Sequence, residues 1–401
     1  MQERNRTRVL AAARDEFAER GFRDAKIDVI AERAELTRGA VYSNFSGKRA
    51  LYFAVLADLA EQAPPVPHIE PGRTTGDALT ALARTWLGRL PPSEERWLGM
   101  DLLPEVLSDD VTRVPYAQLM MLDAILLGLA LERLRPDGRL VRVAETVLTT
   151  LHGASQLAAA APGFGDQFNV AKACEQLAYL DMPDEWLDVP FTTQVHTVDE
   201  PWTPPAPQAP TQDPTRDSVQ APVRDSMQDS TRDSMRDPVR GSVQGSTRDF
   251  MRGPVQGFVW DSVRGEAVSL AGDGVVAVLG LRRASAIEHA VRAAPPGTTV
   301  TAVLVSGTPQ ELIPLARLAV AELAGCLRQA FPEHAWPRLR VVCDETGALA
   351  AAAGVPAVSD TTEVAIRVAA GRIVARADGY GACNVCAKTQ LTEPEPTTRR
   401  I

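Results

Sequence analysis

Cysteine is scarce in this chain. Five among 401 residues cannot make a disulfide framework, which points to a reducing compartment. Long apolar runs are lacking as well: the longest, Leu119 to Leu131, is broken by Asp123 and falls short of the ~20 residues that span a bilayer. The opening residues, MQERNRTR, hold no apolar core of a signal peptide. We therefore expect a cytoplasmic protein with no membrane partner. Nor is there an excess of positive charge. The formal net charge of −9 argues against a chain that binds polyanions along its whole length. Metal-ligand patterns are missing too: the one Cys-x-x-Cys, at Cys383 and Cys386, has no second pair or His pair beside it, and His289 and His334 lie far off in sequence. No cofactor is called for, and no catalytic constellation stands out; His152, in a long helical stretch, is expected to pack rather than act as a base.

What is present is organised around Ile27 to Lys48. Ile27, Ile30, Ala31 and Ala34 fall at i, i+3, i+4 and i+7, the stripe of a two-turn helix. Leu36 marks a corner, Thr37 is a good N-cap, and a second short helix turns Val41 and Phe45 inward. Arg38, Gly39, Ala40, Tyr42, Ser43 and Asn44 are left outside. A short helix with a small, polar outer face fits the major groove of DNA, so the spacing predicts a helix-turn-helix. The charge of the head agrees, with 11 Lys/Arg against 8 Asp/Glu in residues 1–50.

The same residues carry a resemblance. RVLAAARDEF-AERGF from Arg8, then IA-x-x-A, then TRGAVYSNFSGKRAL from Thr37 resemble the N-terminal domain of the TetR/AcrR family of transcriptional regulators. The likeness runs from about Arg8 to Leu56, and GAVYSNFSGK is its most specific part. It implies base reading by Arg38, with Gly39 and Ala40 permitting close approach, phosphate contacts by Thr37, Tyr42, Asn44 and Lys48, and Ser43 among the DNA-binding residues. Two positions depart from the family pattern: Glu35 stands at the corner where Gly is usual, and Ala25-Lys26 replace a capping Thr or Ser. Each is expected to cost about 1 kcal/mol.

Residues 1–62 are thus read as the DNA-binding domain: a helix from about Asn5 to Arg20 closed by Gly21, the two short helices, and a fourth that exposes a Leu51, Val55, Leu59 stripe to its neighbours. Residues 63–194 read as all helical, including long helices from Pro115 to Arg135 and from Arg139 to Ala161. The family resemblance, weaker here, implies a domain that binds a small-molecule effector and forms a homodimer on a palindromic operator. Trp86, Trp97, Met100, Met120 and Met121 are candidates to line an effector pocket, although such sets at helical spacing also serve as plain core.

Residues 195–263 change character. Pro-rich PWTPPAPQAP leads into 13 tetrads such as RDSV, RDSM and QGST, from Gln212 to Val263. One Val or Met per tetrad cannot build a core, so disorder is expected. This linker would span ~45 Å on average and let the two halves melt independently.

Beyond it, in residues 264–401, strands alternate with helices: Val275–Leu279, a helix from Ser285, Thr299–Val305, a helix from Pro309 to Ala330, Leu339–Cys343, then a hairpin of Glu363–Val368 and Arg372–Ala377 turning at Ala370-Gly371. CDETGALAAAAGV followed by TTEVAIRVAAGRIVARADG is similar to the C-terminal half of thioredoxin-like and peroxiredoxin-like domains. That resemblance implies a thiolate opening the helix after the first strand and a facing cis-proline. Leu281 to Ser285 contain no cysteine, and Asp360 takes the place of the proline. The fold is expected without the chemistry, leaving Cys383 and Cys386 either as a candidate redox pair or as two ordinary thiols. The combined expectation is a non-enzymatic, ligand-responsive repressor; a thiol-based redox sensor or oxidoreductase acting through the tail is the alternative.

Overall fold

The computed structural model describes residues 2–91, 98–187, 190–205 and 258–389. The first helix, α1 (Gln2–Asp24), buries Val9, Ala13 and Phe17 and is broken at Gly21, whose φ of 75° only glycine adopts without cost. Two short helices follow, α2 (Ile27–Arg33) and α3 (Arg38–Tyr42), with Ile30, Ala31, Val41 and Phe45 turned into the core. Lys26 gives α2 no side-chain cap, as expected, but its N–H donates to the buried Glu16 carboxylate at 3.2 Å. The cap comes from α1 instead. At the corner Glu35 takes a φ of 50°, the conformation that favours glycine, and its carboxylate meets Arg8 at 2.7 Å.

Helix α4 (Lys48–Gln62) departs from the expected single stripe, because every residue from Ala50 to Ala57 is buried. Helices α5 (Thr75–Gly88), α6 (Leu102–Leu107), α7 (Asp110–Leu134), α8 (Val141–Ala160) and α9 (Gln167–Leu177) complete the helical region. With 25 residues, α7 is long and apolar enough to cross a membrane, unlike the shorter run read from sequence, yet most of it is buried as the central core helix.

The rest is an α/β region around a mixed sheet. Its elements in chain order are β1 (Val195–Pro201), β2 (Phe258–Asp261), β3 (Glu266–Ser269), β4 (Gly274–Gly280), α10 (Ile287–Ala293), β5 (Thr299–Val305), α11 (Pro309–Ala330), β6 (Leu339–Cys343), α12 (Ala348–Ala352), β7 (Glu363–Ala369), β8 (Arg372–Asp378) and α13 (Ala382–Lys388). The six-stranded sheet has the order β1-β8-β7-β4-β5-β6; β4, β5 and β6 are parallel, and β7, β8 and β1 pair antiparallel. All seven residues of the inner strand β4 are buried, as its unbroken apolar run requires. The β7–β8 turn places Ala370 and Gly371 at φ 48° and 71°, the two positive values of a type I′ hairpin. Val276, Val278, Ile366 and Ile373 face α12 and Trp202, while Val275, Ala277 and Leu279 face α10 and α11.

Two expectations are corrected here. The stretch read as linker is shorter, because Val195–Pro201 is an edge strand on β8 and Phe258–Asp261 pairs with β3; Trp202 is buried, its Nε1 donating to the Leu270 carbonyl at 2.7 Å. The remaining tetrads, and their expected disorder, lie outside the described residues. The two halves are also not independent. One continuous core runs from Val9 in α1 to Ala387 in α13, with α11 laid along α4, α5 and α7. Arg317 on α11 grips Glu61 on α4 at 2.8 and 3.0 Å, Arg49 on α4 reaches both Asp109 and Glu311, and Arg139 and Arg292 pair with Glu288 and Glu132 across the seam. Neither α4 nor α11 can be covered by its own half alone, so each covers the other.

Candidate nucleic-acid interface

The corner between α2 and α3 is assembled by short-range bonds. The Thr37 hydroxyl accepts from the Ala40 N–H at 3.2 Å and caps α3. At the other end the Ser43 hydroxyl and the Asn44 amide both donate to the Ala40 carbonyl, at 2.9 and 2.8 Å. Arg38 lies fully on the outside, 3.3 Å from Asp28 and over the Tyr42 ring at 5.6 Å; these partners hold its guanidinium firmly protonated, Tyr42 first and Asp28 second. Lys48 is less free: its ammonium donates to the Arg23 and Ala25 carbonyls at 3.0 and 3.1 Å and sits over the Phe22 ring at 4.6 Å. It closes the end of α1, a role its sequence position did not announce.

Gly39 is the informative residue. Its φ is not in the left-handed range, and a Cβ there would meet only the Thr37 hydroxyl oxygen, at 3.8 Å. Nothing inside the protein requires glycine, although glycine in a helix costs about 1 kcal/mol. The outer face of α3 is therefore kept low, with Arg38, Gly39, Tyr42 and Ser43 exposed and Ala40 and Asn44 half-buried.

The residues expected to line an effector pocket stand in different surroundings. The indole of Trp86 is buried, donates to Ser155 Oγ at 2.9 Å and stands edge-on to His152. Burial depresses that imidazole to about 4, so it is neutral near pH 7. Met100 is exposed, Met120 and Met121 are half-buried on α7, and Trp97 lies outside the described residues. Two clefts are lined by other residues, one of them, of about 480 Å³, between the end of α7 and the start of β5. In the tail, Cys383 and Cys386 are both buried. Burial, then the Glu363 carboxylate beside it, raises the Cys383 thiol far above its usual range; burial pushes Cys386 up to about 12. The Glu363 carboxylate also accepts from the N–H groups of Gly381 and Cys383 at the start of α13, at 3.0 and 3.4 Å. No three potential metal-ligating side chains cluster among the described residues.

Residues 9–55 match the model of the family described as bacterial regulatory proteins, tetR family. Over 55 residues the chain is 47% identical to the HTH-type transcriptional regulator SrpR of Pseudomonas putida, covering 14% of this chain and 26% of that protein. Over 52 residues it is 48% identical to the uncharacterized HTH-type transcriptional regulator TtgW, also of Pseudomonas putida, covering 13% and 39%. The chain thus spans only about a quarter to two fifths of the length of these relatives. A solved TetR transcriptional regulator from Rhodococcus sp. RHA1 overlaps 44% of this chain and 94% of its own, at 18% identity and a TM-score of 0.32. Residues 9–55, which hold the two short helices and their low outer face, are thus the part of the chain that matches the N-terminal domain of the tetR family.

Proposed function

We propose that this protein is a DNA-binding transcriptional regulator that lays α3 in the major groove. The observation that carries this reading is the outward Gly39, a helix-weakening residue with no internal purpose, flanked by Arg38 and Ala40. Arg38 would read a base edge, and Thr37, Tyr42, Ser43, Asn44 and Lys48 would follow the phosphates. We infer a cytoplasmic homodimer on a palindromic operator: Leu157, Phe164, Phe168 and Leu180, on and around α8 and α9, are large apolar side chains left exposed and suit a second copy. In this reading the chain is a repressor, and a small molecule releases it by tilting α4 and changing the spacing of the two recognition helices.

The α/β region is read as thioredoxin-like, supported by parallel β4 and β5 joined through α10 and by the β7–β8 hairpin beside β4. We assign it no enzymatic role. The thiol alternative requires a stabilised thiolate, whereas Cys383 and Cys386 are buried with thiol pKa values driven upward. Selection of genomic fragments by the full chain tests the proposal. The parent should enrich palindromic sites, and Gly39→Val should fold normally yet lose them. A parent that enriches nothing, or a Gly39→Val protein that binds as well, would overturn it.

A further inference from the structure

The cleft of about 480 Å³ lies where the C-terminal end of α7 meets the α10–β5 connection and the segment entering β6, so both halves of the protein supply its walls. Leu129, Val291, Pro295, Pro296, Pro337 and Leu339 make those walls largely apolar. Its volume is that of a small-molecule site.

The charges around it are unbalanced. Arg133 and Arg338 both line the cleft, and Arg264, on the β2–β3 turn, is close enough to act on Arg133. Arg133 is held in place by its Nε, which donates to the His334 carbonyl at 2.7 Å and leaves the two terminal amino groups unused. Its guanidinium gives up its proton more readily than usual, first through desolvation and then through repulsion by Arg338 and Arg264. Asp261 lies close enough to Arg264 to act on it, but among the described residues no carboxylate forms an ion pair with Arg133 or Arg338. Glu132, the acidic residue of the lining, is already taken up by both terminal nitrogens of Arg292, at 2.6 and 2.7 Å. Arg133 and Arg338, like charges with no ion-paired carboxylate, repel one another, and a bound anion relieves the repulsion.

We propose that this cleft binds an amphipathic organic anion, with its carboxylate or phosphate ester between Arg133 and Arg338 and its apolar body against Leu129, Val291 and the prolines. The inference is independent of the DNA-binding proposal, since the cleft lies away from α3. Because α7 belongs to one half and β5 and β6 to the other, the ligand would fasten the halves together and raise the melting temperature of the whole chain.

Calorimetric titration of the full-length protein with decanoate tests this, with decyl phosphate, decanol and inorganic phosphate as parallel probes. We expect saturable binding of decanoate or decyl phosphate, the stronger of the two naming the headgroup, and at least tenfold weaker binding of both decanol and inorganic phosphate. Arg338→Gln, at an exposed position, and Arg133→Gln should each weaken the preferred anion by tenfold or more, and Val291→Phe should block it by filling the cleft. Unchanged affinity in Arg338→Gln and Val291→Phe, decanol binding as tightly as decanoate, inorganic phosphate matching both anions, or no saturable binding by the parent would each overturn the proposal.

Discussion

Glu322 offers a quantitative test of the seam between the two halves. It sits on α11 and faces Asp123 and Tyr116 on α7, Tyr52 on α4, the Arg89 guanidinium just beyond α5, and Cys326 one turn along its own helix. Burial raises its carboxyl from the ordinary 4.5 to about 7, with Arg89 pulling part of the way back. Asp123 is raised well above its usual value by burial and then by Glu322. The sign follows from proton uptake. Between pH 4.5 and 7 the unfolded chain releases the Glu322 proton while the folded protein keeps it, so stability is full below that window and falls as pH rises through it. At ~1.36 kcal/mol per pKa unit, the loss reaches at most about 3 kcal/mol by pH 8. Glu322→Gln keeps the shape of the side chain and removes the titration. Scanning calorimetry from pH 5 to pH 8.5 at constant ionic strength should show parent and variant alike at the acid end. The variant should gain steadily above pH 5, to a Tm advantage of roughly 4 °C. A gap independent of pH, or a variant less stable at pH 8, would refute the placement of this carboxyl in an apolar seam.

Other perturbations probe the same architecture. Arg317→Met removes the two bonds that tie α11 to Glu61 on α4 and should destabilise the whole chain by about 1–3 kcal/mol. Melting should remain one cooperative transition in parent and variant; two separate transitions would show that the halves do not share a core. Lys48→Ala should weaken binding to operator and random DNA alike, lower the salt slope by about one charge, and cost the isolated protein about 1 kcal/mol through the lost cap on α1. Parent-like salt titration and urea midpoint would refute both parts. Cys383 and Cys386 should resist a thiol reagent in the folded protein and react only on unfolding; rapid labelling under native conditions would revive the redox reading.

Local signals in the sequence carried much of this. The stripe Ile30, Ala31, Ala34 and the inward Val41 and Phe45 lie as their spacing predicts, and Thr299–Val305, Pro309–Ala330 and Leu339–Cys343 begin and end at the expected residues. What was hidden depended on distant partners. β1 was unreadable because HTVDE is polar on both faces, and its strand state comes from pairing with β8. The docking of α11 on α4 did leave a trace: LYFAVLA is apolar around the whole helix, a pattern that calls for cover on every side. Glu16 as the cap of α2, and Lys48 as the cap of α1, are long-range bonds that no spacing rule predicts. The low face of α3 was legible because glycine and arginine advertise themselves. The effector candidates give no such signal, because Trp and Met look the same in a core as around a ligand.

The edge strand β1 alters what the tetrad repeat can mean for the protein. The described residues on both sides of the repeat, β1 with Trp202 before it and Phe258–Asp261 after it, belong to the same α/β region, so the repeat connects two parts of one body and not two bodies. Its length sets no distance between the DNA-binding head and anything else. Closing a loop of twice as many residues costs only ~0.6 kcal/mol more. By loop-closure entropy alone, gain or loss of a few whole tetrads would change the stability of the fold by well under ~1 kcal/mol.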